Sequence, residues 1–496
     1  MKSTYPTVII GGGPAGLTAG YELMKGGIQS VVLEKAKKVG GISRTECYKG
    51  YRFDIGGHRF FTKVGEVQAI WKEILGDDFI QVPRLSRIYY NGKFYDYPLS
   101  LIKTLNNLGP ICSFLILMSY LKAKLRKKLD PEFKPETFEE WVIDCFGERL
   151  YLIFFKTYTE KVWGIPCSLI RADWAAQRIQ NMSLKQAVLN AVFGNQNAKS
   201  LIQKFDYPRL GPGMMWERCQ EILDNKGSSV HLNTEVVRIE RDGMRIQKVI
   251  AKKGDRTFEF TAEHYINSMP ISALVHRLDP LPPDNILAAA RGLKYRDFLI
   301  VALMVDQEHL FYDNWLYIHS PEFKVGRIQN FKNWSSEMVP DTRQTCLGME
   351  YFCSEGDALW EMSNDSLIEL ASQEIIQLNL GVKPGDIKDG CVIRQHKAYP
   401  VYDGEYRAHL QVLEDYIKTF ENLQTVGRNC MHRFNNQDHS MLTAILAAKN
   451  VLGENHDLWN VNVERSYHEN FTDKEWSELK QPSSTGQGTL SAAYLR

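Results

Sequence analysis

A chain of 496 residues with 44% apolar and 24% charged residues is long enough for two or three ordinary domains and has the composition of a globular enzyme, which excludes a disordered chain and a polytopic membrane protein. Its formal net charge of +1 supplies no global field for nucleic acid. The nine cysteines (Cys47, Cys112, Cys145, Cys167, Cys219, Cys346, Cys353, Cys391 and Cys430) are odd in number and form no C-x-x-C pair, which suits reduced thiols in a cytoplasm.

The N-terminal residues before Val8 are polar, so no secretory leader is expected and the encoded N-terminus is read as the mature one. Val8-Ile9-Ile10 is an apolar run of strand composition, followed by Gly11-Gly12-Gly13-Pro14-Ala15-Gly16 and a helix-permissive segment from Leu17 to Lys25. A second apolar run, Val31-Val32-Leu33, ends in Glu34. Strand, Gly-x-Gly-x-x-Gly turn, helix, strand and terminal acid form the dinucleotide-binding β-α-β pattern. Gly11 permits the tight turn, Gly13 lets backbone approach a pyrophosphate, and Gly16 lets the helix lie on the strand. The phosphates then meet the positive end of the helix, and Glu34 is placed to hold a ribose hydroxyl.

Gly40-Gly41, Arg44-Thr45 and Phe53-Asp54-Ile55-Gly56-Gly57-His58 follow at short intervals. They resemble the glycine pair and the later Asp-x-Gly-Gly of the flavin amine oxidase superfamily. That resemblance implies FAD, held without a covalent link, and adds Gly41, Arg44, Gly56 and Gly57 to the cofactor-binding set. It implies an α/β protein with a discontinuous, Rossmann-like FAD-binding domain, an α+β substrate domain and a helical insertion.

Further along, Ser86–Tyr90 and Lys93–Pro98 flank Asn91-Gly92, a strong hairpin signal. Residues 99–205 lack period-two alternation and are expected to be a helical insertion. Within it, Ile111 to Leu121 is about half the roughly 20 apolar residues a spanning helix needs. Lys122, Lys124, Arg126, Lys127 and Lys128 follow it. The stretch reads first as a buried helix entering a solvated basic turn, and alternatively as a helix making weak peripheral contact with an anionic membrane. Residues 206–280 return to strand and glycine-turn composition, and the resemblance places backbone near Val237 against the adenine. The FAD-binding domain is thus expected to comprise residues 1–98, 206–280 and 390–453. Residues 281–389 are expected to form the substrate domain, with Phe298–Val305 as a strand buried on both faces. Leu423–Arg428 reads as a strand entering a loop, and Asp438 as an acid capping a helix that carries Met441 and runs to Leu452. By the resemblance Gly427, Asp438 and Met441 complete the FAD site. Residues 454–496 read as an extension.

A more local resemblance concerns the substrate. Lys161-Val162-Trp163-Gly164-Ile165-Pro166, Trp174, Arg178, Arg327, Asn333-Trp334-Ser335, Pro340 and Asn435-Asn436-Gln437-Asp438-His439-Ser440 resemble islands of the UDP-galactopyranose mutases. The resemblance implies a flavoenzyme whose reduced cofactor is the nucleophile toward a nucleotide-activated sugar, with NADPH or NADH as external reductant. It assigns Arg178 and Arg327 to the substrate diphosphate, since planar guanidinium forks match phosphate oxygens. His58 is expected above the flavin, donating toward N5 or a substrate hydroxyl. Trp163, Tyr317, Tyr399, Tyr402 and Phe434 are candidates for lining the substrate pocket. Phe434 departs from the pattern, because the mutases carry a tyrosine shortly before Asn-Gln-Asp-His-Ser. The alternative function is an FAD-dependent oxidoreductase of the amine oxidase or desaturase type. No metal-ligand spacing is present, and nothing in the pattern sets an oligomeric state.

Overall fold

The computed structural model describes residues 2–97, 99–172 and 204–461. Trp174 and Arg178 lie outside the described residues.

The apolar run before the first glycine turn ends strand Lys2–Ile10, where Val8, Ile9 and Ile10 are buried. It lies between Ser30–Leu33 and the long strand Arg256–Asn267, parallel to both, with Ser229–His231 and Leu423–Thr425 extending the parallel array at its two sides. Glu235–Asp242, Arg245–Lys253 and Leu278–Asp279 complete this eight-stranded sheet. The four-residue strand Ser30–Leu33 is buried throughout, as expected where helices cover both faces of a parallel array. Helices Pro14–Lys25, Gly213–Asn225 and Gln437–Val451 contribute Leu17, Leu223 and Ile445 to the same core. The segments forming this layer are far apart in sequence, so the nucleotide-binding layer is discontinuous, as expected.

A seven-stranded sheet runs in the order Ile387–Pro400, Tyr295–Val305, Thr345–Cys353, Arg327–Asn330, Trp315–Ile318, Ser86–Tyr90 and Lys93–Asp96. Its strand Tyr295–Val305 lies one in from the edge, paired on both sides, and is buried over Asp297–Val305. The period-two alternation of a strand divides it between two cores. Leu299, Val301, Leu303 and Val305 face helix Asn364–Gln377 through Leu367, Ala371 and Ile375. Phe298, Ile300, Ala302 and Met304 face Phe53, Ile55 and Tyr207 on the cofactor side. Each fully buried aliphatic or aromatic side chain contributes about 1.5–3 kcal/mol of transfer free energy, so this strand fixes the sheet against both layers.

Two boundaries differ from those read in the sequence. The Asn91-Gly92 hairpin, grouped with residues 1–98, pairs through Ser86–Tyr90 with Trp315–Ile318. Strand Ile387–Pro400, part of which was grouped with 390–453, pairs with Tyr295–Val305. Hairpin and strand signals are local, whereas sheet membership depends on which edge the chain reaches. The helical insertion contains Leu101–Leu108, Pro110–Leu129, Phe138–Phe146 and Thr157–Trp163, and the last is preceded by a π-helical turn, Tyr151–Lys156. Lys204–Pro208, which straddles the expected end of that insertion at residue 205, is a strand paired with Phe79–Pro83.

Candidate active site

A cavity of about 950 Å³ runs from the first glycine turn to the inner face of the seven-stranded sheet. At its nucleotide end, strand Lys2–Ile10 delivers Gly11 at φ +101°, and Gly11 N–H donates to Leu33 O at 2.9 Å. A Cβ on Gly16 would stand 1.9 Å from Gly11 O, so only glycine lets the helix lie this close to the strand. Glu34 accepts from the Gly12 N–H at 2.6 Å and from the Ala36 N–H at 2.7 Å. Its carboxylate is thereby held on the cavity wall, with a lone pair on each oxygen still available for a ribose hydroxyl. Gly40 N–H donates to Gly12 O at 2.8 Å, and a Cβ on Gly41 would stand 3.3 Å from the Gly13 Cα. The later glycine pair therefore closes on the first turn backbone to backbone.

Two helix N-termini open onto this cavity. Helix Pro14–Lys25 begins after Gly13 with no side-chain cap, and helix Gln437–Val451 begins after Asn436, also with no side-chain cap. Gly13, Ala15, Asn436, Gln437 and Asp438 all line the cavity. Buried Gln437 Oε1 and Asn429 Oδ1 have no hydrogen-bond partner among the described residues. Uncapped N–H groups and unpartnered oxygens need a polar ligand. A pyrophosphate at the first helix and a flavin carbonyl at the second would accept from the N–H groups, and N–H or hydroxyl groups of the same cofactor would donate to the oxygens, so the residues present fit FAD.

Of the residues expected to hold the cofactor, Gly11, Gly13, Glu34, Gly41, Arg44, Gly56, Gly57, Gly427 and Asp438 line the cavity. Arg44 is also a strut, bonded through Nε to Glu46 at 2.6 Å and through Nη1 to Gly41 O at 2.8 Å and Gln395 Oε1 at 2.9 Å. Three expectations are corrected. Val236 lines the cavity and Val237 does not, neighbouring residues of a strand facing opposite sides. Met441 is buried on the other side of its helix, where its Sδ accepts from Trp71 Nε1 at 3.0 Å. The N-cap is Asn436, and Asp438 lies inside the first turn, where its charge complements the helix dipole.

His58 follows the left-handed Gly56 (φ +91°) and holds its Nδ1 3.0 Å from Gly56 O. A carbonyl only accepts, so Nδ1 carries the proton. Burial, with Arg428 and Arg327 adding to it against the Gly56 bond, pushes the imidazole pKa down to about 4. The ring is neutral at pH 7 and its Nε2 is an acceptor. The donor role expected for His58 is therefore reversed.

At the substrate end Tyr317, Arg327, Tyr399 and Phe434 line the wall together with Arg59, Arg428 and Trp315. Phe434 stacks on Tyr399 with centroids 5.7 Å apart, and the Arg428 guanidinium lies 4.1 Å from the Phe434 ring centre. Arg327 donates from Nη2 to Tyr399 Oη at 2.9 Å and pairs through Nε with Glu350, fully buried, at 2.5 Å. Burial works against the guanidinium charge, but Glu350 and the surrounding phenols more than offset it and hold the arginine pKa well above its usual value. Trp163 and Tyr402 do not line the cavity. Trp163 backs the wall, 6.2 Å from Phe434 and 6.4 Å from Tyr399, and Tyr402 packs 6.0 Å behind it. Lys161, from the same motif, donates to the carbonyls of Ile318, Ser320 and Val325 at 3.0–3.3 Å. It ties the Trp163 helix to the second sheet.

Arg59, Arg428, Gln329 and Glu350 were not singled out in the sequence. Arg59 directly follows Gly56-Gly57-His58 and Arg428 directly follows Gly427. A cation beside a recognised glycine turn was the signal available for both.

A discontinuous mixed sheet with a parallel core and two uncapped helix N-termini on one cavity define an α/β fold of the dinucleotide-binding class. The chain belongs to the flavin containing amine oxidoreductase family, whose model matches residues 14–452, and membership implies a flavin cofactor. A Klebsiella pneumoniae protein named "Probable UDP-galactopyranose mutase" is 24% identical over 244 residues, 47% of this chain and 57% of that protein. Rat amine oxidase (flavin-containing) B is 22% identical over 302 residues, 57% of this chain and 54% of that protein. The matches thus span little more than half the length of these relatives. Among solved structures, a reduced UDP-galactopyranose mutase superposes with a TM-score of 0.80 at 22% identity, covering 92% of this chain and 97% of that one. A putrescine oxidase with bound putrescine superposes with a TM-score of 0.60 at 15% identity, covering 92% and 100%. At these identities the likeness is one of fold.

Proposed function

We propose that the protein is an FAD-dependent mutase acting on a nucleotide-activated sugar or similar glycosyl diphosphate, with NADPH or NADH as the external reductant. The observation that supports this reading is the charge of the substrate end, where Arg59, Arg327 and Arg428 line one wall. Guanidinium groups attract a diphosphate and repel an ammonium substrate. Glu350 pairs with Arg327, the innermost of these. The planes of Tyr399 and Phe434 orient the Arg428 fork. The Tyr399 hydroxyl and the second sheet do the same for Arg327. When bound in its reduced form, FAD supplies a nucleophilic N5. Neutral His58 Nε2 accepts a hydrogen bond at the flavin end and avoids placing another cation there.

The test is a redox-neutral assay on pre-reduced protein with a panel of nucleotide sugars, alongside anaerobic titration of oxidised protein with amines and apolar substrates. Sugar isomerisation without net flavin oxidation supports the mutase. Substrate-dependent bleaching of oxidised flavin, with no nucleotide-sugar binding, assigns the amine oxidase or desaturase alternative.

A further inference from the structure

Helix Pro110–Leu129 presents its apolar side outward. Its inner side seats Ile116 and Ala123 as buried residues, with Cys112, Ser113 and Tyr120 half-buried. That side is fastened to the insertion by Lys124 Nζ donating to Asp144 O at 2.8 Å, by the Lys127–Asp144 ion pair at 2.7 Å and by Ser113 Oγ donating to Leu105 O at 2.7 Å. On the outer side Ile111 is 78% exposed, Phe114 62%, Leu125 58% and Leu129 77%, and Met118 and Leu121 are about half exposed. Their spacing of three and four residues makes one stripe about 27 Å long at 1.5 Å per residue. This overturns the expectation of a buried helix. Burial of the opposite face against Phe138–Phe146 and the short helix Glu148–Leu150 left the more apolar face without a partner among the described residues. Contiguous apolar exposure on this scale marks an interaction surface.

We infer that this helix is an in-plane anchor that seats the protein on an anionic lipid surface. The charges select that occupant. The helix has no Asp or Glu, while Lys122, Arg126, Lys127 and Lys128 are exposed in its last two turns. A second copy of the same face would bring these cations no acid. An anionic headgroup layer pairs with them while the stripe sinks into the acyl boundary, and the lysine and arginine stems reach back to the headgroups. Crossing is excluded, since no helix among the described residues is long and apolar enough to span a membrane. The anchor is coupled to the cavity-bearing sheet, because Asn107 Nδ2 donates to Phe94 O and Lys93 Nζ donates to Asn107 O at 2.7–2.8 Å. Beyond that hairpin, the Tyr97 ring lies 4.5 Å from Tyr317 on the cavity wall. Seating the helix on lipid therefore places the substrate end of the cavity near the surface.

The experiment is co-sedimentation of the flavin-loaded protein with phosphatidylcholine vesicles and with vesicles containing phosphatidylglycerol, at low and high salt. Each cation near the surface adds roughly fivefold to partitioning. Binding to the anionic vesicles is thus expected to exceed that to neutral ones at least tenfold, and to fall as salt rises. Met118→Asp with Leu125→Asp should lose at least tenfold on anionic vesicles. Lys122→Gln with Lys128→Gln should lose binding and about half of its salt dependence, since Arg126 and Lys127 remain. Flavin content and circular dichroism should match the parent in all variants. The inference is overturned if the parent binds neither vesicle or binds both equally without a salt effect. It is also overturned if Met118→Asp converts a dimer to a monomer, which assigns the face to a second copy. Shielding of Phe114 and Met118 from hydroxyl-radical footprinting in the vesicle-free monomer would assign it to the chain's own residues 173–203 and overturn it equally.

Discussion

Removing Arg327 should expose how tightly substrate recognition is tied to the fold. Its partner Glu350 is fully buried in the central part of the second sheet, 2.5 Å from Arg327 Nε, and otherwise accepts only from Gln329 Nε2 at 2.5 Å. Arg327→Ala leaves that carboxylate buried beside one amide donor. Breaking a buried pair from one side costs about 3–5 kcal/mol, and because the Arg327 side chain is 20% exposed the lower end, about 3 kcal/mol, is expected. That is a large share of the roughly 5–15 kcal/mol of a whole native state. Glu350→Gln alone removes the buried charge and leaves Arg327 its Tyr399 hydroxyl, so it should cost about 1–2 kcal/mol. The double variant Arg327→Ala with Glu350→Gln should recover stability to within about 1 kcal/mol of Glu350→Gln, a coupling of about 2 kcal/mol or more. Nucleotide-sugar affinity should separate from stability. Arg327→Ala loses about ten- to a hundredfold in binding, the double variant does not regain it, and Arg327→Lys regains part. Urea unfolding followed by tryptophan fluorescence measures the first quantity, and titration of nucleotide sugars followed by flavin absorbance measures the second. A loss of stability below 1 kcal/mol for Arg327→Ala, or no rescue by Glu350→Gln, would refute the buried-pair argument; unchanged nucleotide-sugar binding would refute the clamp.

The purified protein should be yellow and release FAD on denaturation, and Gly16→Ala should purify without it, because its Cβ would stand 1.9 Å from Gly11 O; flavin retained at parental stoichiometry would contradict this. Phe434→Tyr restores the hydroxyl that the resembled mutases carry and should tighten nucleotide-sugar binding by about tenfold if that hydroxyl meets a phosphate, as read by the same titration. Burial lowers the pKa of His58, His319 and His432 to about 4, about 3 and about 4, while burial raises that of Asp54 to about 7. Between pH 6 and 4 the unfolded chain then binds three protons at the histidines that the fold does not, and the fold binds one at Asp54 that the unfolded chain does not. The net of two protons makes these four groups remove roughly 2–3 kcal/mol of stability per pH unit on acidification through that window. Urea midpoints at pH 6 and pH 5 check the sign, and His432→Asn should flatten the slope by about half.

The nucleotide half of the site was legible in the sequence because it is built from backbone. Gly11, Gly13, Gly16, Glu34, Gly41, Gly56 and Gly427 act through φ values, close approach and helix ends, and those requirements select residue types at fixed local spacing. The same logic placed strand Phe298–Val305 as a doubly buried core element. What the tertiary structure decided is every relation that depends on which face or edge a residue reaches. The Asn91-Gly92 hairpin belongs to the second sheet because Ser86–Tyr90 pairs with Trp315–Ile318. Val236 rather than Val237 faces the cavity, and Met441 meets Trp71 on the other side of its helix. Arg327 is half of a buried pair whose other half lies one strand away. The Pro110–Leu129 helix shows how little composition says about orientation. Its apolar residues read as core, yet neighbouring helices take the opposite face and leave these outside. Local spacing fixes what a backbone turn can hold, while the direction of a side chain is settled only when distant segments compete for the same face.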